Sequence, residues 1–340
     1  MRGLCVLKHY KLDITGSGRT VQYLISALEG GYLSHAYIFE GADGSGRHTL
    51  VKELLKAMAC EDDDAPCGVC GPCMKIDAGV CVDVRYISPA EGKTELTVDL
   101  IRSIYDTVGM SPSELDFKAY VIENGEKMNP SAQNAFLKLL EEPPGDVRFF
   151  IITNDASKLL PTVRSRALIL RLDKLGKKQM EQVLDRHNIG DSMKRREAIA
   201  LADGSAGEAM RIIRDEDSVV KYRSVSDSLA DILFLPGGGK LALISCLQKN
   251  CKKAEDLYRV AALLQRALRD IAVTRLGTGA GMIYFGTADD AEKYAMNISD
   301  KACIACQDVT SELLALSDVP LNPQLAVTEF CSRLWDARLL

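Results

Sequence analysis

The sequence predicts an α/β domain built on a parallel sheet, followed by regions that are helical throughout. Two observations predict it. Short apolar runs alternate with helical segments as far as residue 172, and beyond that point the strand signals fade. A glycine-rich segment also stands at the junction of one such strand with the helix after it, the position of a phosphate-binding loop in a parallel α/β sheet.

The elements follow in order. Residues 1–35 read as helical in their second half, through Val21, Leu24, Ile25 and Leu28. Ala36-Tyr37-Ile38-Phe39 reads as a buried strand and residues 49–59 as the helix after it. A strand follows over 83–88, then an amphipathic helix over 99–108 with Ile101, Ile104 and Tyr105 on one face. Residues 117–122 form another strand. The next helix is started by Asn129 as cap and Pro130 in its first turn, and Pro143-Pro144 ends it. Strands over 147–154 and 167–172 complete the sheet. From about Lys174, helices take over at 177–187 and 195–202, with a turn at Gly204. Pro236-Gly237-Gly238-Gly239 breaks a remainder that is otherwise helical to Leu340. The expected division is an α/β domain over 1–172 carrying a cysteine module at 60–73, a small helical domain over 173–217, and a helical domain over 218–340.

Composition excludes several classes. With 47% hydrophobic and 26% charged residues, no apolar run approaches the about 18 residues that span a membrane. The first residues, Met1 to Lys8, are too poor in apolar side chains for a signal peptide, so a cytoplasmic location is expected. A net charge of −5 supplies no global basic field, so contact with nucleic acid is expected to be local or through partners.

Four of the eleven cysteines, Cys60, Cys67, Cys70 and Cys73, are spaced C-x6-C-x2-C-x2-C. In a reducing compartment this spacing reads as a metal site, and four thiolates suit a closed, structural Zn²⁺. Gly68, Gly71 and Pro72 supply the turns between ligands. Cys303-x-x-Cys306 lies in a helical stretch without such turns and reads as buried core; Cys5, Cys81, Cys246, Cys251 and Cys331 are isolated. The acidic run Glu61-Asp62-Asp63-Asp64 reads as a solvated loop.

The glycine-rich segment is Gly41-Ala42-Asp43-Gly44-Ser45-Gly46-Arg47-His48. A working phosphate loop reads G-x-x-x-x-G-K-[ST], with the lysine on the β/γ-phosphates and the hydroxyl on Mg²⁺. Here Gly41, Gly44 and Gly46 stand, but Arg47 replaces the lysine and His48 the hydroxyl. Mg²⁺ prefers hard oxygen ligands, and a planar guanidinium does not reproduce a compact ammonium. Asp43 adds a negative charge where phosphate would bind. The frame of an ATPase is present with its chemistry disabled: ATP hydrolysis is not expected, and nucleotide binding is left open.

Specific motifs carry a resemblance. Residues 134–144, Asn-Ala-Phe-Leu-Lys-Leu-Leu-Glu-Glu-Pro-Pro, and 161–166, Pro-Thr-Val-Arg-Ser-Arg, join His35-Ala36-Tyr37-Ile38-Phe39, the altered loop and the cysteine module. Together they resemble bacterial DNA polymerase III clamp-loader subunits of the AAA+ class over residues 20–215; the helical end is similar only in length and character. The resemblance implies an AAA+ domain, a helical lid and a helical collar through which subunits assemble. It implies as partners the ATPase subunits, gamma or tau, and the delta subunit, with the sliding clamp and primed DNA met through the complex.

Three departures separate the chain from the family's ATPase subunits and align it with the non-hydrolysing delta-prime branch. The first is the altered loop. The second is Glu123-Asn124 where ATPase subunits carry Asp-Glu; Glu123 can still reach a metal, but Asn124 cannot act as a general base. The third is Gly207, in Gly204-Ser205-Ala206-Gly207, in the slot of an arginine that senses the γ-phosphate. One residue of the family's catalytic set survives. Ser165-Arg166 matches the Ser-Arg-Cys motif, with Ala167 in place of the cysteine, and the resemblance implies that Arg166 projects into a neighbour's ATP site. The alternative is that Arg164 and Arg166 are exposed loop charges. Glu141-Glu142 opposes the dipole at its helix end, which suits either an interface or a solvated helix end. Two rival functions stand beside this reading: an active gamma/tau-like ATPase, and a zinc-dependent nucleic-acid-binding module. The second is opposed by the lack of a basic stripe with interleaved aromatics around the cysteines.

Overall fold

The computed structural model describes residues 8–89, 95–190, 195, 198–199, 202, 204–214, 216–277, 281–316 and 321–340. The N-terminal segment with Cys5, and most of the helix expected over 195–202, lie outside the described residues. The described residues fall into two compact units, one within Met1–Gly190 and Asp203–Glu208, the other within Asp191–Ala202 and Ala209–Leu340.

In the first unit, β1 (His9–Tyr10) pairs in parallel with β3 (Asp64–Ala65) beside the cysteine module. The main sheet has five strands in the order β4-β5-β6-β2-β7: Val84–Ile87, Lys118–Ile122, Val147–Thr153, Ala36–Glu40 and Leu168–Arg171. All its pairings are parallel. Strand residues alternate between two cores. Tyr37, Phe39, Val121, Phe150 and Ile152 pack on one face with Leu24 of α1 (Gly18–Gly30) and Leu50 and Leu54 of α2 (Arg47–Ala59). Ile38, Tyr120, Ile122, Phe149 and Ile151 pack on the other face with Phe136 and Leu140 of α6 (Pro130–Glu141). A sheet buried on both faces explains why its strands read as continuous apolar runs.

The helix expected over 99–108 is two short helices, α4 (Val98–Arg102) and α5 (Tyr105–Val108). Ser103 breaks it: its hydroxyl donates back to the Leu100 carbonyl at 2.7 Å, and the Ile104 N–H bonds Ile101 three residues back. Ile101 and Ile104 are buried as expected, whereas Tyr105 is 39% exposed. Helix α3 (Gly71–Ala78) carries Cys73, the last of the four cysteines, α7 (Pro161–Arg164) precedes β7, and α8 (Lys177–Arg186) follows it; α9 (Ala206–Arg214) begins in this unit. Asn129 caps α6 through the Ala132 N–H at 2.9 Å.

Buried Asp83 ties the segment after α5 to β4. It accepts the N–H groups of Ser113 at 2.9 Å, Glu114 at 2.6 Å and Leu115 at 2.9 Å. Burial pushes its carboxyl up, but these donors, with the Lys118 charge, more than offset it and leave the pKa below the usual value. Asp83→Asn is expected to cost about 2–3 kcal/mol at neutral pH. A depressed native pKa means the contribution is complete above the ordinary carboxylate value and is lost as pH falls through the native one. Urea midpoints of wild type and variant should therefore differ at pH 7 and converge in acid.

The second unit is helical in its described residues: α10 (Glu216–Phe234), α11 (Lys240–Asn250), α12 (Ala254–Leu276), α13 (Ala288–Ala295), α14 (Asp300–Ala315) and α15 (Pro323–Arg338). Their apolar faces form one core with Leu229, Phe234, Leu264, Leu268, Phe330 and Leu334. Cys303 and Cys306 lie inside it, and burial pushes their thiols up to about 11 and about 12. They are core side chains, as expected of a cysteine pair in a helical stretch without glycine turns. No described helix is long and apolar enough to cross a membrane.

Candidate functional site

Because β2, β5 and β6 run parallel, the residues after each of them gather at one edge of the sheet. This edge is where ligands bind in open α/β sheets. The altered loop leaves β2 with the Gly41 N–H donating to the Thr153 carbonyl at 3.2 Å. Gly44 and Gly46 have φ of +72° and +92°, which only glycine adopts without strain.

The side chains that define the loop are engaged with one another. Arg47 is 4% exposed, and its Nη2 donates to Asp43 Oδ1 at 2.6 Å. His48 Nδ1 stands 3.4 Å from Glu123 Oε1, from the end of β5. The Asn154 amide, from the end of β6, lies 3.5 Å from the other Asp43 oxygen. Gly207 closes the loop from above: its N–H donates to the Gly44 carbonyl at 3.5 Å. A Cβ on Gly207 would lie 3.1 Å from Gly44 Cα, and a Cβ on Gly44 would meet Ser205 Oγ at 2.0 Å. The sequence marked residues 41–48, Glu123 and Gly207 separately, and the structure brings them together.

Arg166 lies outside this cluster, in the turn between α7 and β7. Its Nη1 donates to the Thr162 carbonyl at 3.0 Å and contacts Ser165 Oγ at 3.2 Å, while Nη2 pairs with Glu141 Oε1 at 2.7 Å. Arg164 and Arg166 are both half-buried. Gln133 was missed from the sequence, and His35 was marked there only as part of a motif, without a role. Gln133, buried in α6, accepts the Leu160 N–H at 2.6 Å and donates to the Met128 carbonyl at 2.9 Å, which fixes the start of α7. His35 bonds the Leu140 carbonyl at 3.0 Å near the end of α6. A glutamine inside an otherwise apolar helix face was the only signal for the first.

The four cysteines converge. The sulfurs of Cys60, Cys67, Cys70 and Cys73 all lie within 4.8 Å of one another. Tetrahedral zinc with bonds of about 2.3 Å places its sulfurs about 3.8 Å apart, and Cys60 Sγ stands 4.0 Å from Cys70 Sγ. The Cys67 N–H points at Cys60 Sγ and the Cys70 N–H at Cys67 Sγ, both at 3.3 Å. The Val69 and Cys70 N–H groups pull the Cys67 thiol down to about 7, whereas burial pushes Cys73 up to about 12 and raises Cys60. A bound divalent cation is what deprotonates such a buried set, so the donors fit a structural zinc. The neighbouring residues Glu61 to Asp64 are exposed, as expected.

The family described as DNA polymerase III, delta subunit, matches residues 16–176. DNA polymerase III subunit tau of Salmonella typhimurium is 32% identical over 231 residues, covering 65% of this chain and 36% of that protein. The chain thus spans little more than a third of the first curated relatives it matches. Subunit delta' of Bacillus subtilis is 26% identical over 300 residues, 88% of each chain, and subunit delta' of Escherichia coli 26% over 248 residues, 72% and 73%. The altered loop, the cysteine centre and the Arg166 corner all lie inside the matched segment. Over this segment the chain is similar to DNA polymerase III clamp-loader subunits, of both the tau and the delta' kind.

Proposed function

We propose that this chain is a non-hydrolysing, delta-prime-type subunit of the DNA polymerase III clamp loader, acting in the cytoplasm during DNA replication. It assists gamma or tau ATPase subunits and the delta subunit in placing the sliding clamp on primed DNA, and offers Arg166 to a neighbouring ATP site. Zn²⁺ on Cys60, Cys67, Cys70 and Cys73 braces the α/β domain. The helical lid over 173–217 and the collar over 218–340 complete the three-part division, with the collar joining the other subunits.

The observation that carries the reading is the self-engagement of the phosphate loop. An incoming phosphate must compete with Asp43 for the Arg47 charge. His48 offers an imidazole where Mg²⁺ needs an oxygen, and it stands against Glu123. Asn124, with φ of +55°, supplies no carboxylate to activate water. At Gly207 the backbone itself rests on Gly44. This donor set does not suit Mg–ATP turnover. The relation to delta' over most of both chains supports the same branch.

The relation to tau favours a second reading, an ATPase subunit in which Arg47 replaces lysine adequately. Nucleotide binding and hydrolysis by the purified chain separate the two. The expected result is no turnover and no binding at the millimolar concentrations typical of substrate affinities. Turnover by the chain alone, lost on Arg47→Ala, would make it a motor subunit.

A further inference from the structure

We propose that Glu141 is a positioning residue that holds Arg166 in a stored state and competes with the neighbour's phosphate for it. This rests on the reading of Arg166 as an arginine offered in trans. Glu141 is the last residue of α6, where a carboxylate opposes the helix dipole. Its partner explains the choice: Arg166 Nη2 meets Glu141 Oε1 at 2.7 Å. The other half of the guanidinium is held by its own turn, through the Thr162 carbonyl and the Ser165 hydroxyl. One nitrogen is thus fixed by local structure, and the other is held by an acid on a different element.

A carboxylate and a phosphate present the same kind of oxygen to a guanidinium. A γ-phosphate reaching this corner would replace Glu141 at Nη2 while the turn keeps the arginine aimed. The side chains of Arg166 and Glu141 are 35% and 49% exposed, so the pair is open to exchange. Half-exposed ion pairs are weak. Glu141 therefore restrains the arginine without locking it, and its negative charge, if it stays nearby, repels the incoming phosphate.

The test uses the complex assembled from this chain and its ATPase subunits. Glu141→Gln keeps the shape and an acceptor oxygen but removes the charge. It is expected to lower KM for ATP by up to about fivefold, with kcat nearly unchanged. The difference from wild type should shrink as salt screens the pair. It should vanish in an Arg166→Ala background, because the effect runs through that arginine. Glu141→Asp, which keeps the charge, should retain the wild-type KM. If Arg166→Ala lowers turnover but Glu141→Gln leaves KM unchanged, or lowers kcat instead, the inference is overturned while the trans reading stands. If Arg166→Ala has no effect on the complex, the trans reading itself falls.

Discussion

Replacing Arg166 by alanine is expected to lower ATP turnover at the site it faces by at least about a thousandfold, the lower range for an arginine finger. The loss should fall chiefly on kcat, because a delocalised cation beside the γ-phosphate acts most strongly on charge that develops in the transition state, with a smaller rise in KM from the ground-state contact for which Glu141 competes. Arg166→Lys should not restore it. An ammonium lacks the fork that lets one nitrogen hold the Thr162 carbonyl while another meets an anion. The variant chain itself should keep its stability to within about 1 kcal/mol, since its partners are a half-exposed acid and local oxygens. The measurement is steady-state hydrolysis by the reconstituted complex carrying variant or wild-type chain. Equal turnover in the two would remove Arg166 from the chemistry.

Loss of the metal from the cysteine centre should have the largest effect on stability. Structural zinc contributes about 10–16 kcal/mol to isolated zinc modules. Here the centre has few other supports: a small core of Cys60, Ala65 and Cys73, and the two-residue pairing of β1 with β3. Metal analysis is expected to find one zinc per chain, and Cys73→Ser to lose most of it. A strong chelator should lower the thermal midpoint and open residues 60–81 to proteolysis. The damage should spread to the sheet, because Ile76 and Cys81 belong to the core under α1 and α2. A chain purified without zinc, with a midpoint unmoved by chelator, would refute the assignment.

Much of this protein was readable where the information is local. The three central strands of the main sheet, β5, β6 and β2, were visible because they are buried on both faces and so are apolar along most of their length, and the edge strands β4 and β7 were visible from shorter apolar runs. The cysteine knuckle was visible because zinc ligands are set by chain spacing within fourteen residues, 60 to 73. The altered loop was visible because Arg47 and His48 occupy fixed places after Gly46. Local reading failed where a single side chain redirected the backbone, as Ser103 does in the helix expected over 99–108. It also missed β1 and β3, since two-residue strands carry no period.

What the sequence determined by itself was which groups exist: a glycine-rich loop carrying Arg47 and His48 after β2, a four-thiol set, and Arg166 before β7. Only the tertiary structure decided what those groups do to one another. His48 meets Glu123, Gly207 rests on Gly44, and Arg166 pairs with Glu141. The members of each pair lie on different elements, and their distance is set by strand order and helix packing. Covalent spacing fixes neighbours along the chain, whereas these pairs follow from packing: the parallel sheet carries the strand ends that bear the loop and Glu123 to one edge, and helix packing brings the end of α6 to the turn before β7.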